Sequence, residues 1–205
     1  MYQKDCKRSM DKYYNSYRES FEQYGISYLA LLWASEKSME ARFRVICEEI
    51  ALQGKSLLDL GCGLGFFLDY LKNRGVTPSH YVGIDNKDFF IESNRHRFAP
   101  ELFLCEDLFK LRERYREERF DYTVASGLLS NIEDWRGAID LMWDLCREGC
   151  AFNCLCRCSY QLDFTSHSLA EVIQTVERLT QTFVIRHDYL KYDFTVVMFK
   201  NETMY

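Results

Sequence analysis

Asp59, Gly61, Gly63 and Gly65 stand in the order D-x-G-x-G-x-G at the end of the run Ser56-Leu57-Leu58-Asp59-Leu60. Glycines at this density remove the Cβ atoms that keep a ligand off the backbone. The helix expected from about Leu64 turns its unpaired N–H groups toward the same spot. The chemistry such a corner offers is nucleotide binding. A dinucleotide fingerprint spaces its glycines G-x-G-x-x-G; here the third glycine falls one residue early, and Phe66 holds the dinucleotide's last position. Asp85 ends the next apolar run, where a strand-tip carboxylate is placed to accept both ribose hydroxyls or to cap the helix that follows. Asp107, after Leu102–Cys105, is either a ligand-facing acid or a loop cap. Ser126 and Gly127 give a fourth run a tip of small residues.

These residues need strands to carry them and helices to separate the strands. Short apolar runs at 56–60, 80–85, 102–105, 120–127 and 150–156 read as strands, the last apolar on both faces as a central parallel strand should be. Helical stretches fall between them. Ser35 is a natural N-cap for a helix from Glu36 to about Leu52, whose Met39, Phe43, Ile46 and Ile50 step by four, three and four. Further helices are expected from Leu64 to about Asn73, from Lys87 to Phe98 and from Trp135 to Arg147, with Gly149 as the stop. Ser168-Leu169-Ala170-Glu171 has the form of a capping box. The runs Phe183–Leu190 and Asp193–Lys200 are joined by Lys191-Tyr192, a link short enough to require an antiparallel hairpin. The expected architecture is a mostly parallel α/β sheet closed by that hairpin. Residues 1–34 are an aromatic lead-in, holding six of the fourteen tyrosines before Leu29. They form either a helix packed on the domain edge or a lid over the site, with residues 35–205 as the main domain.

The chain has 205 residues, enough for one well-buried domain, with 47% hydrophobic and 28% charged residues. A formal charge of −5 offers no broad basic surface for nucleic acid. No apolar run approaches the roughly 18 residues of a membrane helix, and the polar N-terminus lacks the apolar core of a signal peptide. A cytoplasmic protein is expected. The nine cysteines include no C-x-x-C pair. Cys154, Cys156 and Cys158 are at strand spacing, about 6–7 Å between same-face neighbours, too far apart for two thiolates with metal bonds of about 2.3 Å. They read as reduced core residues and not as a metal site.

The D-x-G-x-G-x-G turn, with Asp85, Asp107 and Ser126-Gly127 at successive strand ends, resembles the motifs of class I S-adenosylmethionine-dependent methyltransferases over roughly Glu36 to Lys200. The resemblance implies a Rossmann-like α/β fold: a mostly parallel seven-stranded sheet with a C-terminal antiparallel hairpin and N-terminal helices. It implies S-adenosylmethionine as cofactor, bound by Asp59, Gly61, Cys62, Gly63, Asp85, Asn86, Asp107, Leu108, Ser126 and Gly127. On this pattern Asp107 faces the adenine amino group and the next backbone N–H a ring nitrogen. The small residues at Ser126-Gly127 make room for the methionine part. Cys62 departs from the motif but is small enough to leave the loop undisturbed. Trp33–Phe43, Ala151–Leu155 and Arg186–Thr195 resemble a group of bacterial methyltransferase-domain proteins without an agreed substrate.

The implied reaction is in-line displacement of the sulfonium methyl by an acceptor nucleophile, in which the protein mainly aligns and dehydrates. Tyr14, Tyr17, Glu133 and His167 are the candidates for orienting or deprotonating the acceptor, each with a packing or surface role as its competitor. Pro78 and Pro100 are the only prolines, so the N-P-P-Y and D-P-P-Y motifs of exocyclic-amine nucleic-acid methylation are absent, as is the Pro-Cys of cytosine methylation. A small-molecule acceptor is the expectation, with no DNA or membrane partner and the oligomeric state open. Two other readings compete: a SAM-binding accessory protein without its own activity, and an NAD(P)-dependent oxidoreductase.

Overall fold

The run Ser56–Leu60 is β1, and Leu57, Leu58 and Leu60 are fully buried, each such side chain contributing about 1.5–3 kcal/mol. In a computed structural model, described here for residues 13–156 and 166–200, β1 is an interior strand, third of seven in the sheet. Around it are β2 (His80–Asp85), β3 (Leu102–Cys105), β4 (Phe120–Ala125), β5 (Cys146–Leu155), β6 (Phe183–Arg186) and β7 (Asp193–Phe199). The order is β3-β2-β1-β4-β5-β7-β6. β1 to β5 pair in parallel, and β7 runs antiparallel to both β5 and β6. The chain thus steps outward from β1 in both directions, which opens a crevice at the strands' C-terminal edge.

Helices cover both faces. On one, α2 (Glu36–Glu49), α3 (Phe66–Asn73) and α4 (Asp88–Arg97) bury Met39, Phe43, Ile46, Phe67, Leu71 and Ile91 against the sheet. On the other, α5 (Leu111–Arg114), α6 (Trp135–Leu145) and α7 (Leu169–Glu177) bury Leu111, Ile139, Met142, Val172 and Val176. Ser35 caps α2 in a reciprocal box with Ser38. The aromatic lead-in provides α1 (Tyr14–Tyr24), whose Tyr17 and Phe21 pack on Phe89 and Phe90 of α4, while Tyr24 stays exposed.

Several expectations change. β5 begins at Cys146, immediately after α6, with no intervening loop. Gly149 is inside that strand and not a helix stop, because a Cβ there would lie 2.3 Å from the Met198 carbonyl oxygen of β7. The final hairpin is antiparallel, but its connection spans residues 187–192 and not two residues. Ser168 occupies the N-cap of α7 without a side-chain hydrogen bond, so the capping box does not form. Cys47, Cys62, Cys146, Cys150, Cys154 and Cys156 are free thiols; Cys105 is disulfide-bonded, which corrects the reading of every cysteine as reduced. Cys158 lies outside the described residues. Among the described residues no helix is long and apolar enough to cross a membrane.

Candidate functional site

β1 delivers the chain to Gly61 and Gly63, both at positive φ, +69° and +51°. A Cβ at Gly61 would come within 2.9 Å of Leu128 Cδ1, and one at Gly63 within 2.9 Å of Leu31 Cδ2. The turn therefore needs glycine twice over, for its backbone and for the side chains that close on it. Asp85 at the tip of β2 locks the turn in place. Its Oδ2 accepts from the Gly63 N–H at 3.0 Å and its Oδ1 from the Lys87 N–H at 3.0 Å. It is not the helix N-cap, since α4 starts three residues later behind Lys87. From α4, Asn94 donates to the Gly63 carbonyl at 2.7 Å and Arg97 to the Leu64 carbonyl at 2.7 Å. Neither clamp has a signature in the sequence; each looks like a surface residue of a mixed-charge helix.

Asp59 is buried and accepts from the Tyr81 hydroxyl at 2.6 Å. Burial, only partly offset by that bond, pushes its carboxyl up to about 7. Burial likewise raises the Cys62 thiol, so it remains protonated and unreactive. Asp107 caps the short turn after it, accepting from the Phe109 N–H at 2.9 Å. Gly127, at φ +80°, meets the Trp33 ring where a Cβ would be 2.9 Å from Cζ2. Its N–H donates to Asn153 Oδ1 at 2.9 Å.

These groups share one cavity of 1030 Å³, at the upper end of the roughly 300–1,000 Å³ of ordinary ligand pockets. Asp59, Gly61, Cys62, Gly63, Asp85, Asn86, Asp107, Leu108, Ser126 and Gly127 all line it. So do Tyr17 and Glu133, and Leu31, Leu32, Trp33 and Ala34 from the lead-in. Two of the four acceptor-facing candidates are not in its wall. Tyr14 points its hydroxyl at Asp88 Oδ1, 2.9 Å away at the first residue of α4. His167 is buried, with Nε2 3.0 Å from the Leu129 carbonyl and its ring 4.8 Å from that of Trp135. Arg42, Asn153 and Asp193 also line the cavity and were not legible as site residues.

The wall fits a mixed-polarity ligand that approaches backbone closely. Ser126 Oγ and Asn131 Oδ1 are buried at its edge with no hydrogen-bond partner among the described residues. Orphaned polar atoms of this kind cost about 1–3 kcal/mol each unless something pairs with them. With the glycine cradle and the acids at two strand tips, they provide contacts for hydroxyls, amines and a carboxylate on one molecule.

Residues 58–152 match the family described as "Methyltransferase domain". The chain is 30% identical over 171 residues to "Putative methyltransferase Rv1506c" of Mycobacterium tuberculosis (strain ATCC 25618 / H37Rv), covering 71% of this chain and 93% of that protein. Among solved structures it is similar to the N-methyltransferase NodS from Bradyrhizobium japonicum WM9 in complex with S-adenosyl-L-homocysteine. That likeness has a TM-score of 0.70 at 18% identity, over 94% of this chain and 100% of that one. Magnesium protoporphyrin IX methyltransferase from Synechocystis PCC 6803 with bound SAH gives a TM-score of 0.67 at 12% identity, over 96% and 100%. At such identities the structures speak for the fold; the sequence relative carries the kinship. Nothing among these proteins favours the nicotinamide or accessory-protein alternatives. The chain belongs to the class I S-adenosylmethionine-dependent methyltransferases.

Proposed function

We propose that this enzyme methylates a small molecule, with the donor held at the glycine-turn end of the cavity and the acceptor admitted from the other end. When bound, S-adenosylmethionine supplies a methyl group already activated on its sulfonium, so alignment and dehydration are the protein's main duties. Asp85 accepts the ribose hydroxyls. Each carboxylate oxygen has two acceptor positions, so its bonds to Gly63 and Lys87 leave capacity for a ligand. Asn86 lies beside it. Asp107 accepts from the adenine amino group, and the Leu108 N–H faces a ring nitrogen. Gly61, Cys62, Gly63, Ser126 and Gly127 receive the methionine portion, with Ser126 Oγ gaining the partner it lacks among the described residues.

Residues 13–34 act as a roof over a catalytic domain of residues 35–205, with Tyr17 and Trp33 as its inner surface. Tyr17 and Glu133, which line the cavity, remain the candidates for orienting the acceptor. The observation that carries the small-molecule reading is the 1030 Å³ cavity, walled by the sheet edge and covered by the lead-in. A cavity of that volume suits a metabolite better than a folded macromolecule.

The test is incubation with tritiated S-adenosylmethionine and a bacterial extract separated into metabolite, RNA and protein fractions. Label confined to the metabolite fraction is expected. Label found only in RNA or protein would refute the small-molecule acceptor.

A further inference from the structure

A second polar cluster sits at the far end of the same cavity, where β5 and β7 meet α2. Asp193, the first residue of β7, is 1% exposed and accepts from Arg42 Nε at 2.7 Å, the Tyr189 hydroxyl at 2.5 Å and Asn153 Nδ2 at 3.3 Å. Arg42 Nη2 contacts the same carboxylate. Arg42 Nη1 donates to the Ser38 carbonyl at 3.1 Å, and the guanidinium lies over the Trp33 ring, 4.6 Å from its centroid. A guanidinium has five N–H donors in a fixed plane. These contacts use three. Two remain without a partner among the described residues, on a side chain that lines the cavity and is 11% exposed.

The charges divide the cavity. At the glycine-turn end the carboxylates of Asp85, Glu106 and Asp107 stand with one ammonium, Lys87, whose Nζ lies 3.9 Å from Asp85. At the far end Arg42 and Lys191 stand with Asp193, and Glu133 also lines the wall; Arg42 is paired with Asp193, and Lys191 has no acidic partner among the described residues. The acid-rich end suits a cationic nucleoside, and the unused N–H donors of Arg42 at the other suit an anion. Trp33 joins the two, with one ring edge against Gly127 and its face under Arg42. Asn153 joins them again, through the Gly127 N–H on one side and Asp193 on the other.

We propose that the far end is the acceptor subsite and that it takes an acceptor bearing a carboxylate, bound by the two unused N–H groups of Arg42. Asp193 is a positioning residue: it fixes the plane of the guanidinium and does not touch the acceptor. The carboxylate is the handle and need not be the atom methylated. This rests on the assignment of the glycine-turn end to the donor.

The test is calorimetric titration of the protein saturated with S-adenosylhomocysteine, using 4-hydroxybenzoate, indole-3-acetate and octanoate against their primary amides. At least one acid is expected to bind ten times or more tightly than its amide. Arg42→Gln should abolish that preference while leaving S-adenosylhomocysteine affinity within twofold. Arg42→Lys, which keeps the charge beside Asp193 but loses the planar donor pair, should reduce the preference and fold even if Arg42→Gln does not. Arg136→Gln, on an exposed guanidinium over Trp135, should leave it unchanged. Acids that bind no better than amides, no binding by any of the three, or a preference that survives both Arg42 variants would overturn the proposal. Failure of the wild-type protein to bind S-adenosylhomocysteine would instead bring down the donor-site assignment beneath it.

Discussion

Asp85 and Gly63, 22 positions apart, meet through a 3.0 Å hydrogen bond from the glycine N–H to Oδ2. The carboxylate proposed to accept the ribose hydroxyls thus also holds the shape of the glycine turn. Asp85→Ala should therefore weaken S-adenosylhomocysteine binding by about 1.5–3 kcal/mol, the range for hydrogen bonds to a charged group, or roughly 10- to 150-fold. It should also lower stability by about 1–3 kcal/mol, since the Gly63 and Lys87 N–H groups lose their acceptor. Asp85→Asn keeps one acceptor oxygen and should fall between. Calorimetry and thermal melts read the two effects separately; full affinity in a folded Asp85→Ala protein would remove Asp85 from the site.

The half of the cavity that the sequence revealed is the half built from local pattern. Asp59, Asp85 and Asp107 sit at strand tips or just beyond them, and strand tips follow from short apolar runs. The far end was hidden because its chemistry comes from pairs distant in the chain: Arg42 and Asp193 are 151 positions apart, and neither has a telling neighbour. Gly149 misled for a different reason. Glycine after a helix reads as a stop, whereas here it makes room for the Met198 carbonyl of a strand that arrives almost 50 residues later. His167 reads as a candidate to orient or deprotonate the acceptor, but the bond to the Leu129 carbonyl uses its Nε2 in packing.

Two glycines at positive φ separate backbone cost from crowding. Gly75 has φ +69° and nothing within 4 Å of a built Cβ, while Gly63 has φ +51° and Leu31 at 2.9 Å. Gly75→Ala should cost only the left-handed conformation, about 1–2 kcal/mol. Gly63→Ala should cost at least about 1 kcal/mol more, since overpacking typically adds about 1–3 kcal/mol, and should weaken S-adenosylhomocysteine binding as well. Equal melting temperatures for the two variants would mean that Leu31 moves aside freely.

Asp59 gives the fold a pH dependence. Its carboxyl is raised from 3.8 to about 7 chiefly by burial, so the folded chain favours the protonated form. The resulting stabilisation is complete below about pH 4 and is lost as the pH rises through about 7. Each tenfold gain in proton affinity on folding corresponds to about 1.4 kcal/mol, which sets a ceiling of about 4 kcal/mol. Asp59→Asn keeps an acceptor for the Tyr81 hydroxyl and cannot titrate. Urea melts between pH 5 and 8 should show a falling wild-type stability and a flatter line for the variant. Parallel curves would place the proton elsewhere.

The lead-in is either inert packing or a roof whose motion limits ligand escape, and Tyr17 distinguishes the two. Its ring packs edge-on to Phe90 at 6.0 Å, sits under the Lys87 ammonium at 4.7 Å and lines the cavity. Tyr17→Ala should cost about 3–5 kcal/mol, as for other large aromatic truncations in a core. Because that loss falls on the contact between α1 and α4, S-adenosylhomocysteine should leave the variant several-fold faster. Tyr14→Phe serves as the comparison: it deletes the bond to Asp88 outside the cavity and should cost about 0.5–1.5 kcal/mol with no change in dissociation. Stopped-flow displacement measures both rates. A Tyr17→Ala protein that releases ligand as slowly as wild type would reduce α1 to packing on the domain edge.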